Sequence, residues 1–281
     1  MDIFESLRTF SMIIPKNTSA FMDAFPKESQ AAEAVHQGIA TLIYKHAQVD
    51  LEDTGYSTAV TLAFGAHSAW ISSFNMTVAG YIDTGWSEIR RAVEFTCYAS
   101  KVVNSEKRAI NWIKQRTDPD ARRSFSGECQ IPTAYTSDKY KFLRELLVTY
   151  DMANYYGAHG NLETMAGKYR HVKDNELIFS YQADKDIIFV AAAMMILNGY
   201  RILQSFRLIL EKKLAEPKKM DELLKYIDRT IIDLRMELAK ENYSNSVPQH
   251  IVRHIYTDDK EETNRMFYEL LEREKKRKQR D

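Results

Sequence analysis

An all-α bundle of about eight or nine helices is the fold class that this sequence predicts. Three observations carry the prediction. Glycine and proline are sparse, 10 and 6 in 281 residues, and sparse breakers favour long helices over strands joined by turns. Apolar residues recur at helical spacing in several long stretches, such as Leu223, Leu224, Ile227, Ile231, Leu234 and Leu238. Small residues crowd one stretch, Gly65, Ala66, Ser68, Ala69, Ser72, Ser73, Ala79 and Gly80, where helix backbones can approach closely.

In chain order, residues 1–14 read as a short helix stopped by Pro15, with an irregular segment to Pro26. Residues 27–49 form a helix with Ala31, Ala34, Val35, Ile39, Leu42 and Ile43 as its apolar stripe, broken by 50–55. A central pair follows, 57–81 and 84–103, joined at Asp83-Thr84-Gly85, with Thr84 as the expected N-cap. Residues 105–116 make another helix around Trp112, after a break at Asn104. The longest irregular stretch is 117–137, with Pro119, Gly127 and Pro132; loops of that length are often functional. Residues 138–165 return to helix, with Phe142, Leu146, Thr149 and Ala153 on one face. Residues 167–181 suit a small β-hairpin near 168–181 as well as a loop. A core helix covers 184–214, and an amphipathic helix covers 218–242 after Pro217. Pro248 breaks the chain before a charged final helix from 258 to the end, whose tail from Arg273 to Arg280 is rich in Lys and Arg. The expected organisation is a core domain over 1–214 and a C-terminal helical extension over 215–281, packing on the core or on a partner.

Charge and cysteine usage bound the function. The 39 basic and 39 acidic side chains cancel, against the basic excess that broad nucleic-acid or membrane affinity favours. Two cysteines, Cys97 and Cys129, make no disulfide framework and no CxxC zinc motif. The start Met1-Asp2-Ile3-Phe4-Glu5 has no basic, apolar signal character. The longest apolar stretch, 187–197, is too short to span a bilayer. A reducing, cytoplasmic protein with no membrane contact is the expectation.

Few motifs carry chemistry. Phosphate-loop, GxGxxG, HExxH and GxSxG patterns are absent from the sequence. Glu33-Ala34-Val35-His36 is a Glu-x-x-His motif, but no second copy precedes any other histidine, so a di-metal carboxylate site is not expected and Glu33–His36 reads as a surface pair. No metal and no cofactor are expected. Arg91 and Glu94, three apart on an apolar helix, are either paired with each other or aimed at a ligand. Tyr155 to Asn161 reads YYGAHGN; His159 between glycines near a helix end can reach a groove and exchange a proton near neutral pH. The expected polar centre is therefore Arg91, Glu94 and His159, with Tyr156 and Asn161 as ligand contacts and Arg122 and Arg123 holding phosphate.

Arg91-Ala92-Val93-Glu94, after a small-residue helix and before a Tyr-rich helix ending in His159-Gly160, resembles a group of uncharacterised bacterial helical domains. The resemblance spans about residues 58–161 and implies no particular activity. It extends distantly to HEPN-type helical domains of toxins and phage defence, in which an Arg is followed, after four to six intervening residues, by a His that supports metal-independent RNA cleavage. Here Arg170-His171 and Arg253-His254 are adjacent, and no Arg precedes a His at the longer spacing. The expected function is a binding or interaction module, engaging itself as a homodimer, a protein partner or a small ligand, chiefly through the helices after Pro217. The alternative is a HEPN-like ribonuclease or nucleotide-acting toxin or defence protein.

Overall fold

The computed structural model describes residues 7–129, 141–154, 169–171, 177–179, 185–240 and 272. Among these residues the chain forms nine α-helices: α1 Leu7–Ala24, α2 Pro26–Thr41, α3 Thr54–Val78, α4 Ile82–Val102, α5 Glu106–Lys114, α6 Pro119–Glu128, α7 Lys141–Ala153, α8 Lys185–Ile209 and α9 Pro217–Lys240. A short antiparallel ladder sets Tyr169–His171 against Leu177–Phe179. The fold is an all-α bundle, and the expected final helix from 258 lies outside the described residues.

Helix α8 is the axis. It packs against α2, α3, α4 and α7, and Phe189 to Leu197 are all buried. Its segment Ile187–Ile209 is long and apolar enough to cross a membrane by composition, yet 78% of the most apolar window is buried inside the protein, as a core helix requires. Trp70 of α3 donates its indole Nε1–H to the Met195 carbonyl at 2.7 Å. Gly199 makes room for that ring, because a Cβ there would lie 2.4 Å from it. Gly38 of α2 plays the same part against Leu203 of α8 and Ile227 of α9.

The central pair α3–α4 forms, but its turn lies upstream of the expected one. Gly80 adopts φ 96°. Gly80 N–H donates to Thr77 O and Tyr81 N–H to Met76 O, a Schellman closure that leaves α4 starting at Ile82. Thr84 therefore lies inside α4 and caps nothing. Gly85 is a contact residue, lying against Ser73 O and Thr77 Oγ1 of α3. The α3 N-terminus is capped by Asp53, whose Oδ1 accepts from Tyr56 N–H at 2.9 Å, so the helix begins before Ser57.

Two proline readings also change. Pro15 sits inside α1 instead of ending it. A helical proline costs about 3 kcal/mol, and contacts beyond it outweigh that cost: Phe21 is buried edge-on to Phe74, and Asn17 donates to Ala79 O. Pro119 opens α6, with Asp118 Oδ1 accepting from Asp120 and Ala121 N–H, so the first part of the expected long loop is helix. A Pro at the first helical position loses no hydrogen bond, which is why it starts helices and seldom continues them. Helix α2 stops at Thr41 and passes into one π-helical turn, Leu42–His46, before the break.

The described part of the C-terminal extension rests on the core. Met220, Leu224, Ile227, Ile231 and Leu234 of α9 are buried, and the helix packs on α2. His46 Nδ1 donates to Ala215 O at 2.7 Å, and Ala215 N–H returns a bond to His46 O at 2.8 Å, which fixes the entry to α9.

Replacing Gly199 with Ala forces the Trp70 indole to move. A Cβ would lie 2.4 Å from the ring, so the overpacking cost is at the upper end of about 1–3 kcal/mol; less a helix-propensity gain of about 1 kcal/mol, the expected net loss is about 1–2 kcal/mol. Chemical denaturation measures it, and an unchanged or raised midpoint would show that no indole occupies that space.

Candidate functional site

Helix α4 carries the first expected site residues, and their partners are not the expected ones. Arg91 lies on the outer face with its side chain 57% exposed, and its Nη1 donates to both oxygens of Glu88 at 2.9 and 3.0 Å. Glu94 accepts instead from Arg90 Nε at 3.1 Å. Both pairs are intrahelical, three and four residues apart. Arg90 is drawn inward by Tyr150 of α7, whose ring lies 5.3 Å beneath the guanidinium and whose hydroxyl is 3.5 Å from Nη2. The inward member of the Arg90-Arg91 doublet thus takes Glu94, and the outward member takes Glu88.

Among the described residues, the other expected ones do not join this seam. Arg122 and Arg123 are exposed on α6, and Arg123 pairs with Asp120 at 3.4 Å in open solvent. Tyr156, His159 and Asn161 lie outside the described residues. Glu33 accepts from Gln37 at 2.8 Å, so the expected Glu33–His36 pair does not form. His36 turns to α3, where its Nδ1 is 3.1 Å from His67 Nε2.

The deepest polar group is one that the sequence reading passed over. Arg201 of α8 and Glu145 of α7 meet at 2.7 Å with both side chains 6% exposed. Asn198 Oδ1 accepts from Arg201 Nη1 at 3.0 Å and from Thr149 Oγ1 at 2.7 Å. Ser205 Oγ closes onto the Arg201 carbonyl. Asn198 Nδ2 is buried without a hydrogen-bond partner among the described residues. The signal was present: Asn198 and Arg201 are three apart in an otherwise apolar run, and Thr149 lies four residues after Glu145, so each pair shares a helix face. What periodicity does not supply is the pairing of those two faces. This cluster fixes how α7 registers on α8, because removing Glu145 strands the Arg201 charge in a dry interior.

Burial sets the titration of the groups around these seams. The Cys97 thiol is pushed up to about 12 by burial, and burial raises Cys129 as well. Both stay protonated at neutral pH and are weak nucleophiles. Tyr98 is raised to about 12, by burial first and the Glu94 charge second. Tyr150 is raised by burial and then Glu94. For Arg90, burial disfavours the charge, but Tyr150 and Glu94 more than offset it and the net shift is upward. Such groups brace helices. No set of three or more His, Cys, Asp or Glu placed to hold a metal ion occurs among the described residues.

Surface grooves lined by described residues include two with polar walls. One, about 470 Å³, lies where Lys212 and Lys213 meet Asp53, Tyr56, Asn104 and Glu106. Its two lysines are already engaged: Lys213 bridges Asp50 and Asp53, and Lys212 donates to Asn104. The other, about 530 Å³, runs between α2 and α9 along Lys27, Gln30, Tyr226, Arg229 and Asp233. Beside it Tyr226, Ile232 and Met236 are 51%, 53% and 55% exposed. Comparisons with family models, curated proteins and solved structures return no match to this chain.

Glu145→Leu is expected to lower folding stability by about 3–5 kcal/mol by leaving Arg201 buried and uncompensated. Adding Arg201→Met recovers most of that loss, and a denaturant series on the two variants reads both effects. A second outcome concerns pH. Burial, then the His36 charge, lowers His67 from 6.5 to about 4. Below 6.5 the unfolded chain binds a proton at this position that the folded chain refuses down to about 4. The stability contributed by neutral His67 is complete above pH 6.5 and is lost as pH falls towards 4. His67→Gln flattens the stability–pH curve in that window, as urea midpoints across the range would show.

Proposed function

We propose that this chain is a protein-binding module whose contact surface is the outer face of α9 and the groove it shares with α2. The observation that carries the reading is the exposure of Tyr226, Ile232 and Met236 on a helix whose opposite face is already buried in the core. Packing on α2 accounts for one side of α9 and leaves these three in water. Large apolar side chains gathered on one exposed helix face mark interaction surfaces. The charged seams elsewhere support the same reading, because Arg90, Arg91, Arg123 and Lys213 are each engaged within the chain.

The alternative is an RNA- or nucleotide-acting enzyme centred on Arg91, Glu94 and His159. It gains no support from Arg91, whose guanidinium is bound to Glu88. Nor does it gain support from Arg122 and Arg123, which lie on an exposed helix.

A photo-crosslinking residue in place of Ile232, introduced into the full chain in its native cells, tests the proposal. Adducts to protein are expected from this position and not from Arg123, which is at least as exposed on α6. Absence of any protein adduct at Ile232 would remove the contact surface.

A further inference from the structure

We infer that the partner on this face is a second copy of the same chain, docked with its α9 antiparallel about a two-fold axis at the level of Ile231. The inference rests on the reading of α9 as the contact face and goes beyond it in naming the occupant.

The exposed face of α9 is self-complementary. Ile231 itself points into the core. On a regular helix, positions 222, 229, 233 and 240 fall within about 20° of one line along the opposite side. In an antiparallel pair centred on residue 231, position 229 of one copy lies across from 233 of the other. Arg229 then faces Asp233 twice, once on each side of the axis. Tyr226 shares a level with Met236 of the other copy, also twice. All four side chains are exposed in the single chain. Arg229 and Asp233 are four apart on one helix, yet no ion pair or hydrogen bond engages either of them among the described residues. The order Arg before Asp is the weaker one for an intrahelical pair, so both charges remain available to an outside partner.

A parallel arrangement in register sets each of these charges against its own kind and is repelled. Ile232 lies one residue from the axis at the edge of the face, so its two copies approach each other beside the centre. Apolar anchors contribute most in such central positions. Tyr226 and Met236 flank the charges, and a thioether against an aromatic ring is favourable. A two-fold interface of this sort uses one surface twice, and it is the commonest way for identical chains to associate.

Light scattering and sedimentation on the full chain test the inference. The expected mass at high concentration is twice 32.6 kDa. Arg229→Asp sets acid against acid across the axis, and Asp233→Arg sets base against base. Each variant alone is expected to dimerise at least about tenfold more weakly, with its circular-dichroism melt unchanged. Mixing the two variants restores a dimer, because the first chain then presents acid at both positions and the second presents base at both.

A wild-type chain that stays at 32.6 kDa at every concentration overturns the inference. So does a pair of single variants that dimerise as well as wild type, or a mixture that restores nothing. These failures are separable from failure of the binding reading. An Ile232 adduct to a different protein, with a monomeric wild type, removes the second copy and keeps the contact face. No adduct of any kind removes both.

Discussion

The close approach of α3 to α8 is the constraint on which the rest of this structure depends. At its centre stand a buried hydrogen bond and a missing methyl group. The Trp70 indole reaches the Met195 carbonyl because Gly199 presents bare backbone to the ring. That carbonyl is an internal acceptor of a long helix, so the bond adds a cross-link without breaking the helical ladder. With Trp70 seated, His67 and Phe74 stack on either side of it along α3. At one end of this aromatic row His67 meets His36 of α2. Helix α9 then rests on α2, and the order of layers runs outward from one contact.

Charge in this protein is arranged at two depths, and the depth decides what each pair does. The Glu88–Arg91 and Arg123–Asp120 pairs are solvated and local, and such pairs contribute about 0–1 kcal/mol. The Glu145–Arg201 pair is dry and joins residues 56 apart in sequence. A buried pair of this kind adds little net stability compared with apolar residues of the same shape. It does penalise every packing of α7 on α8 in which the two charges fail to meet. Arg90, Glu94 and Tyr150 stand between these cases at the α4–α7 seam.

The surface of α9 differs from the rest of the described exterior. Most exposed apolar residues elsewhere lie apart or cap a local contact, as Tyr44 does against Phe64. On α9 apolar residues flank a line of charges along one face. A helix that needed only to cover α2 has no requirement for that order on its far side.

How much of this was legible in the sequence varies by element. Helical periodicity in Ala31 to Ile43 and Leu223 to Leu234, with few breakers, was enough for the all-α class, the buried stripes and the core position of α8. These are properties of neighbours three and four residues apart, and a sequence displays them directly. Boundaries were less legible, because Pro15 and Pro119 obey the same local rule and end differently. Tertiary contacts carry the chain through the first, and a cap at Asp118 starts a helix at the second. The α3–α4 turn went to Gly80 and not to Asp83-Thr84-Gly85, because Gly85 was needed against Thr77. The polar partners were the least legible. Arg91 and Glu94 share a face by spacing, but Tyr150, brought in from α7, pulled Arg90 into that place. Nothing in the sequence pairs Glu145 with Arg201, and only the fold sets them 2.7 Å apart. The sequence determined which faces had to be buried, since burial follows periodicity. Only the tertiary structure decided which buried charges met, since that depends on how two helices register and no single helix records it.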